Sequence, residues 1–259
     1  QVQFDIKARL KANPERGDRD IANDKALEGA KRLALAVVLT RRLTIRHDVN
    51  HDTANFDPAL DPTIILADWD DADRKAILER GLFGFASYGR VRFHNRLAFE
   101  FLAAARIADL LDKGLSRQAV RRLLVIKTAQ GSEVLRPSLQ DVAAWLALRH
   151  DWVFDLVNAL DPSLLMNLGD PGSLSVEQRA KVLAAFIEGF GRGGWRGLSV
   201  PEIQIHRFAD QSLGQIITRE FISVENPEVR QVLLDLIAYA KVTDGAPIAR
   251  STVHDPAIH

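Results

Sequence analysis

The chain has 259 residues, 34 Lys and Arg against 34 Asp and Glu, a hydrophobic fraction of 47% and no cysteine. Those proportions exclude disordered, collagen-like and disulfide-scaffold classes, and a chain this long can bury a core without staples. Zero net charge argues against non-specific grip on nucleic acid or anionic membrane, and the missing cysteine excludes a thiol nucleophile or a cysteine-ligated metal site.

Gln1 to Ile6 reads as mid-helix sequence without a starting Met, so a piece of a longer protein is expected. No basic segment leading into an apolar core opens the chain. The longest unbroken apolar run, Leu33 to Leu39, falls far short of the roughly 20 residues that cross a bilayer. A cytoplasmic chain with no membrane partner is the expectation.

Phe4 to about Lys11 is a short amphipathic helix stopped by Asn13-Pro14. Asn23 or Asp24 caps a long helix through Arg41, with Ala26, Ala30, Leu33, Val37 and Val38 as its apolar stripe. Leu43-Thr44-Ile45 reads as a short strand, and His47 to Pro62 as loop. Asp61-Pro62 is a helix start, and Asp70 or Asp71 caps a further helix that runs into Gly81 as its C-cap. Leu82-Phe83 and Val91-Arg92-Phe93 then flank Ser87-Tyr88-Gly89 as a hairpin. Strand, helix, helix and hairpin within about fifty residues is the order of a winged-helix module.

After His94 the pattern is helical: Asn95 to Leu111, a helix from Ser116 carrying Val120, Leu123, Leu124 and Ile126, then starts at Ser138, Asp151 and Asp161-Pro162. Ser175 and Gln178 form a capping box. Gly191 to Gly194 breaks that helix, and Ile203–Phe208, Leu213–Phe221 and Asn226-Pro227 to Lys241 follow. Val134-Leu135 is the one remaining strand signal. Short helices and tight loops without a heptad suit stacked helix pairs with degenerate repeats. The expected fold is therefore mainly α, a small winged-helix module followed by an α-solenoid-like (HEAT/armadillo-like) array. Its expected parts are a helical segment 1–42, the winged-helix-like module 43–95, the helical arm 96–242 and a frayed tail 243–259.

Enzyme signatures are absent: no P-loop, no G-x-S-x-G elbow, no H-E-x-x-H. The glycine-rich stretch Gly189 to Gly197 follows a helix rather than a strand and reads as an interhelical loop. His47 and His51, beside Asp48 and Asp52, would suit a metal only if helical, and they fall in loop sequence without a third ligand. His254 and His259 lie in the polar tail. Asp68, Asp70, Asp71 and Asp73 around Trp69 are better explained by capping and the helix dipole than by chemistry. Trp145 and Trp152 read as core anchors. Arg90, Arg92 and Arg96 gather around the hairpin, and Arg117, Arg121, Arg122 and Lys127 line a later helix, as phosphate contacts would. The recognition helix of a DNA reader would be Asp70 to Arg80, however, where acids and bases alternate, so DNA is not the expected partner.

One block is more specific. Tyr88-Gly89-Arg90-Val91-Arg92-Phe93-His94-Asn95-Arg96 followed by Phe99-Glu100-Phe101-Leu102-Ala103-Ala104 resembles the end of the winged-helix domain in NACHT-type STAND NTPases. Ala26 to Ala34 is similar to the helical domain that precedes it, and Arg136 to Ala147 to the helical region downstream in large bacterial members. Phe99 stands where the signature usually has Gln. The resemblance implies a nucleotide-binding domain preceding this region, then helical domain, winged helix and a superhelical sensor arm. It implies a switch from an ADP-bound closed state to an ATP-Mg-bound oligomer when the arm meets a protein trigger, in several members during antiphage defence. His94 matches the winged-helix His that can reach the ADP β-phosphate, and Arg90, Arg92, Arg96 and Glu100 are its interaction candidates, Glu100 pairing with Arg96 one turn back. The chain itself is expected to be no enzyme and to hold no cofactor. A DNA-binding winged-helix regulator and a helical protein-interaction scaffold are the alternatives.

Overall fold

Helix is the main secondary structure of the residues described by the computed structural model, which are 2–11, 21–47, 59–193, 200–245 and 247–248. The chain divides into two units, Gln1–Val120 and Arg121–His259.

In the first unit, α1 spans Val2–Arg9, α2 Asn23–Thr40, α3 Pro62–Ile65, α4 Asp71–Leu78 and α5 Arg96–Asp112. The strands are β1 Ile45–Arg46, β2 Phe83–Ala86 and β3 Arg90–Phe93. Helices α2 and α5 form the main packing pair, through the buried line Ala26, Ala30, Leu33 and Val37 on one and Leu102, Ala103 and Ile107 on the other. Small residues in both lines let the backbones come close. Arg106 donates to Glu28 at 2.5 Å and Lys31 to Asp109 at 2.6 Å, each pair 78 residues apart, so the two helices run in the same direction. Trp69 packs where Gly29 leaves room: a β-carbon there would lie 2.5 Å from its ring.

The strands form an antiparallel sheet ordered β1-β3-β2, with Ile45 and Phe85 both opposite Val91 and Phe83 opposite Phe93. At the hairpin turn Tyr88 and Gly89 take φ of 64° and 65°, the left-handed pair that matches a tight turn to the strand twist. Buried Arg80 donates to the carbonyls of Leu10 (2.8 Å) and Ile21 (2.9 Å), fastening α1 and the entry to α2.

Helix α6, Arg117–Leu124, crosses the division. Beyond it lie β4 Val125–Lys127, β5 Glu133–Leu135, α7 Gln140–Ala147, α8 Asp151–Leu160, α9 Ser163–Asn167, α10 Val176–Phe190, α11 Glu202–Phe208, α12 Gly214–Glu220 and α13 Pro227–Ala240. The helices pack on one another as follows: α7 on α8, α8 on α9, α10 on both α8 and α9, α11 on α9 and α13, and α12 on α13. Phe186, Phe208, Val182 and Leu233 are fully buried among them.

Several expected boundaries shift. Helix α2 is capped at Ala22 without a side-chain bond, so Asn23 and Asp24 lie within its first turn, where the charge of Asp24 suits the dipole. Helix α4 ends at Glu79, before Gly81. Ser138 lies in a 3-10 turn, Pro137–Leu139, and does not cap α7. Ile126 is strand and not helix, because the β-branched Val125-Ile126 pair against Leu135 and Val134. The division after Val120 keeps α5 in one unit with α2, on which it packs. Much of the tail, like His51, lies outside the described residues.

Candidate functional site

Strand alternation sorts the small sheet into two faces. Ile45, Phe83, Val91 and Phe93 point into the core and are buried. The other face carries Arg46, Gly84, Ala86, Arg90 and Arg92, and His94 continues the same row. It is a cationic face with small residues between the charges.

The cations differ in how they are matched. Arg46 lies 3.3 Å from Asp61. Asp61 also accepts from the Thr63 hydroxyl at 2.6 Å and the Thr63 amide at 2.9 Å; those bonds, with help from Arg46, hold its carboxyl below the usual range. Arg90 is buried, at 4% exposure. Arg92 and His94 are exposed, and neither side chain has an ion-pair or hydrogen-bond partner among the described residues. Arg96 and Glu100 stand on α5 and pair, Nε donating to Oε1 at 2.6 Å, as their spacing predicts.

The position of His94 is set from both sides. Phe93 before it is clamped between Phe83, with ring centroids 4.5 Å apart, and Phe99 at 5.8 Å. Asn95 after it caps α5 by accepting from the Leu97 amide at 2.8 Å. The His94 amide donates to the Leu82 carbonyl at 3.0 Å, so the backbone is pinned while the imidazole stays out of the cap. The ring instead lies against Gly84, where a β-carbon would come 2.9 Å from Nδ1 and 3.0 Å from Nε2.

The other candidates resolve into structure. Asp70 caps α4 by accepting from the Asp73 amide at 2.7 Å, Asp73 is buried against Lys25, Asp68 meets Arg32 at 2.7 Å and Asp71 meets Arg74 at 2.8 Å. His47 faces Glu79 at 3.5 Å and the edge of the Phe85 ring. His51, His254, His259 and residues 194–197 of the glycine-rich stretch lie outside the described residues. Among the described residues no three His, Asp or Glu gather as a metal would need. Trp145 is buried in α7 and Trp152 half-buried in α8.

A cavity of about 500 Å³ opens between α10 and α12, with Glu188, Arg192, Arg219 and Glu220 at its walls. Arg219 bonds Glu220 at 2.7 Å, and Ser223, also on the wall, donates its hydroxyl to the Glu220 carbonyl at 2.7 Å. Sequence reasoning passed over Gly84; its signal was a lone glycine inside a strand, the mark of a close approach.

Among the described residues no helix is long and apolar enough to cross a membrane. No family model, curated protein or solved structure matches the chain.

Proposed function

We propose that this chain is the regulatory part of a NACHT-type STAND NTPase, without catalysis of its own. In this reading residues 43–95 are a winged helix, and residues 96–242 a HEAT/armadillo-like arm on which a protein trigger docks. The nucleotide, ADP or ATP with magnesium, belongs to an NTPase domain in cis, and the active form is an oligomer in the cytoplasm, in a role such as antiphage defence.

The observation that carries the reading is His94: exposed, unpartnered among the described residues, and held in one position where β3 passes into α5. An imidazole N–H held this way can donate a charge-assisted bond to an ADP β-phosphate only while the two domains are closed together, so the bond reports the nucleotide state. Helix α5 starts one residue beyond the Asn95 cap, which gives a rigid lever from that contact. The element order strand, helix, helix, hairpin supports the winged-helix part. The succession of helices α7 to α13 supports the arm.

A DNA-reading role has less to work with. On α4 and its end, Arg74 is spent on Asp71 and the Leu66 carbonyl, and Arg80 is buried on backbone carbonyls. Base reading needs such side chains free in the groove.

In the full-length protein, His94→Leu is expected to speed ADP loss and favour the active oligomer. ADP retention unchanged from wild type overturns the role. The chain alone is expected to hydrolyse no ATP, and measurable turnover overturns the non-catalytic assignment.

A further inference from the structure

We infer that Gly84 is the positioning residue for His94, and that His94 and Arg92 together form a subsite for one phosphate group above it. The inference rests on the phosphate reading of His94 given above and adds two residues to it.

Gly84 is not needed for its backbone freedom, since its φ is not among the positive ones. It is needed for room. Cε1, Nδ1 and Nε2 of His94 all crowd the place where a β-carbon would stand, so the imidazole lies flat on the strand in the space a side chain would fill. Even a methyl group would lift the ring away.

Gly84 is also the direct cross-strand partner of Arg92. Side chains at such paired positions rise from the same face about 5 Å apart. With no side chain at 84, the ring of His94 takes the place beside Arg92. Arg92 and His94 therefore rise from one face of the sheet with no carboxylate bonded to either, while Arg46 and Arg96 have Asp61 and Glu100. A guanidinium without a carboxylate partner is open to an anion. A phosphate group fits: the guanidinium offers paired N–H donors to two oxygens, and the imidazole offers one to a third.

The test follows the histidine ring resonances of the 259-residue chain at pH 7, with His94→Gln used to assign the His94 signal. Sodium pyrophosphate is titrated in, beside sodium chloride of equal ionic strength and, separately, ADP. The expected result is a saturable shift of the His94 signal with pyrophosphate and none with chloride. Arg92→Gln should weaken the apparent affinity by about fivefold or more, the loss of one charge-assisted contact. Gly84→Val should abolish the shift while circular dichroism and the thermal midpoint hold, and Gly84→Ala should fall between. Tighter binding of ADP assigns the subsite to a nucleotide, and equal binding to a bare phosphate group; both support it. A wild-type-like shift in folded Gly84→Val overturns the role of Gly84 and leaves the phosphate reading standing. Unchanged affinity in Arg92→Gln overturns the paired subsite, even if Gly84→Val fails to fold. No shift in wild type, or the same shift with chloride, overturns the subsite altogether. A shift in this chain combined with unchanged ADP retention in full-length His94→Leu keeps the subsite and overturns the switch.

Discussion

The two units use their charged side chains differently. In the first, charges meet charges between helices, Glu28 with Arg106, Lys31 with Asp109 and Lys25 with Asp73, and Arg32 meets Asp68 in the turn before α4. In the second, Arg121, Arg207 and Arg219 meet the carboxylates of Glu133, Asp170 and Glu220, and three other arginines meet backbone. Arg179 donates to the carbonyls of Leu174, Phe208, Ala209 and Gly172, Arg136 to Leu123 and Arg230 to Val224. Helix length explains the difference. Helices α2 and α5 have 18 and 17 residues and lie side by side, so charges on their flanks face each other over several turns. The second unit is built from many shorter helices, and every helix end leaves carbonyls without an intrahelical partner. A long, forked donor is the economical answer there.

In the first unit Arg32, Arg74 and Arg80 also bond to carbonyls, and Arg80 is the buried one. Arg80→Leu is expected to have the largest effect, about 2–4 kcal/mol, because two buried carbonyls lose a charged donor at once. Arg179→Leu should cost about 2 kcal/mol, its carbonyls being nearer to water. Urea unfolding, read by probes placed in each unit, checks whether each loss stays in its own unit; a smaller loss for Arg80 than for Arg179 would break the comparison.

A double-mutant cycle on Glu28 and Arg106 should give a coupling of only about 0.5–1 kcal/mol, fading with added salt, since Glu28 is partly exposed. A coupling that survives high salt would show the interhelical charges to be stronger than their exposure allows.

The smallest effect is common to both units. Asp61 and Asp210 each accept from a hydroxyl and an amide two residues on, at 2.6 and 2.9 Å in both cases. Those bonds lower both carboxyl pKa values in the folded protein. The stabilisation is therefore complete above the unfolded carboxyl value near 4 and is lost as pH falls through the lower folded value. The stability difference between wild type and Asp210→Asn should shrink as pH drops from 5 to 2; a difference that grows in acid would reverse the sign.

The caps show how much could be read in advance. Asp61, Asp70, Asn95, Asn226 and the Ser175–Gln178 box all cap where the sequence predicts. A cap is a bond to an amide two or three residues away, so both partners lie in one short window. The same holds for Arg96 and Glu100, one helical turn apart. Ile126 was misread because a three-residue strand exists only by virtue of its partner, Glu133–Leu135. Of the candidate site, the row Arg90, Arg92 and His94 follows from strand period alone, whereas the burial of Arg90 and the isolation of Arg92 do not.

Composition and local chemistry by themselves determined a mainly helical chain with no thiol chemistry, several of its helix starts and the hairpin ending at His94. Tertiary structure alone decided that α2 and α5 run in the same direction, that Arg80 is spent on Leu10 and Ile21, and that the imidazole of His94 rests on Gly84. Capping and strand period act over a few residues, so the sequence carries them whole. Register between distant segments depends on which shapes fill one another's gaps, and a missing β-carbon at Gly84 has meaning only once β3 lies beside it.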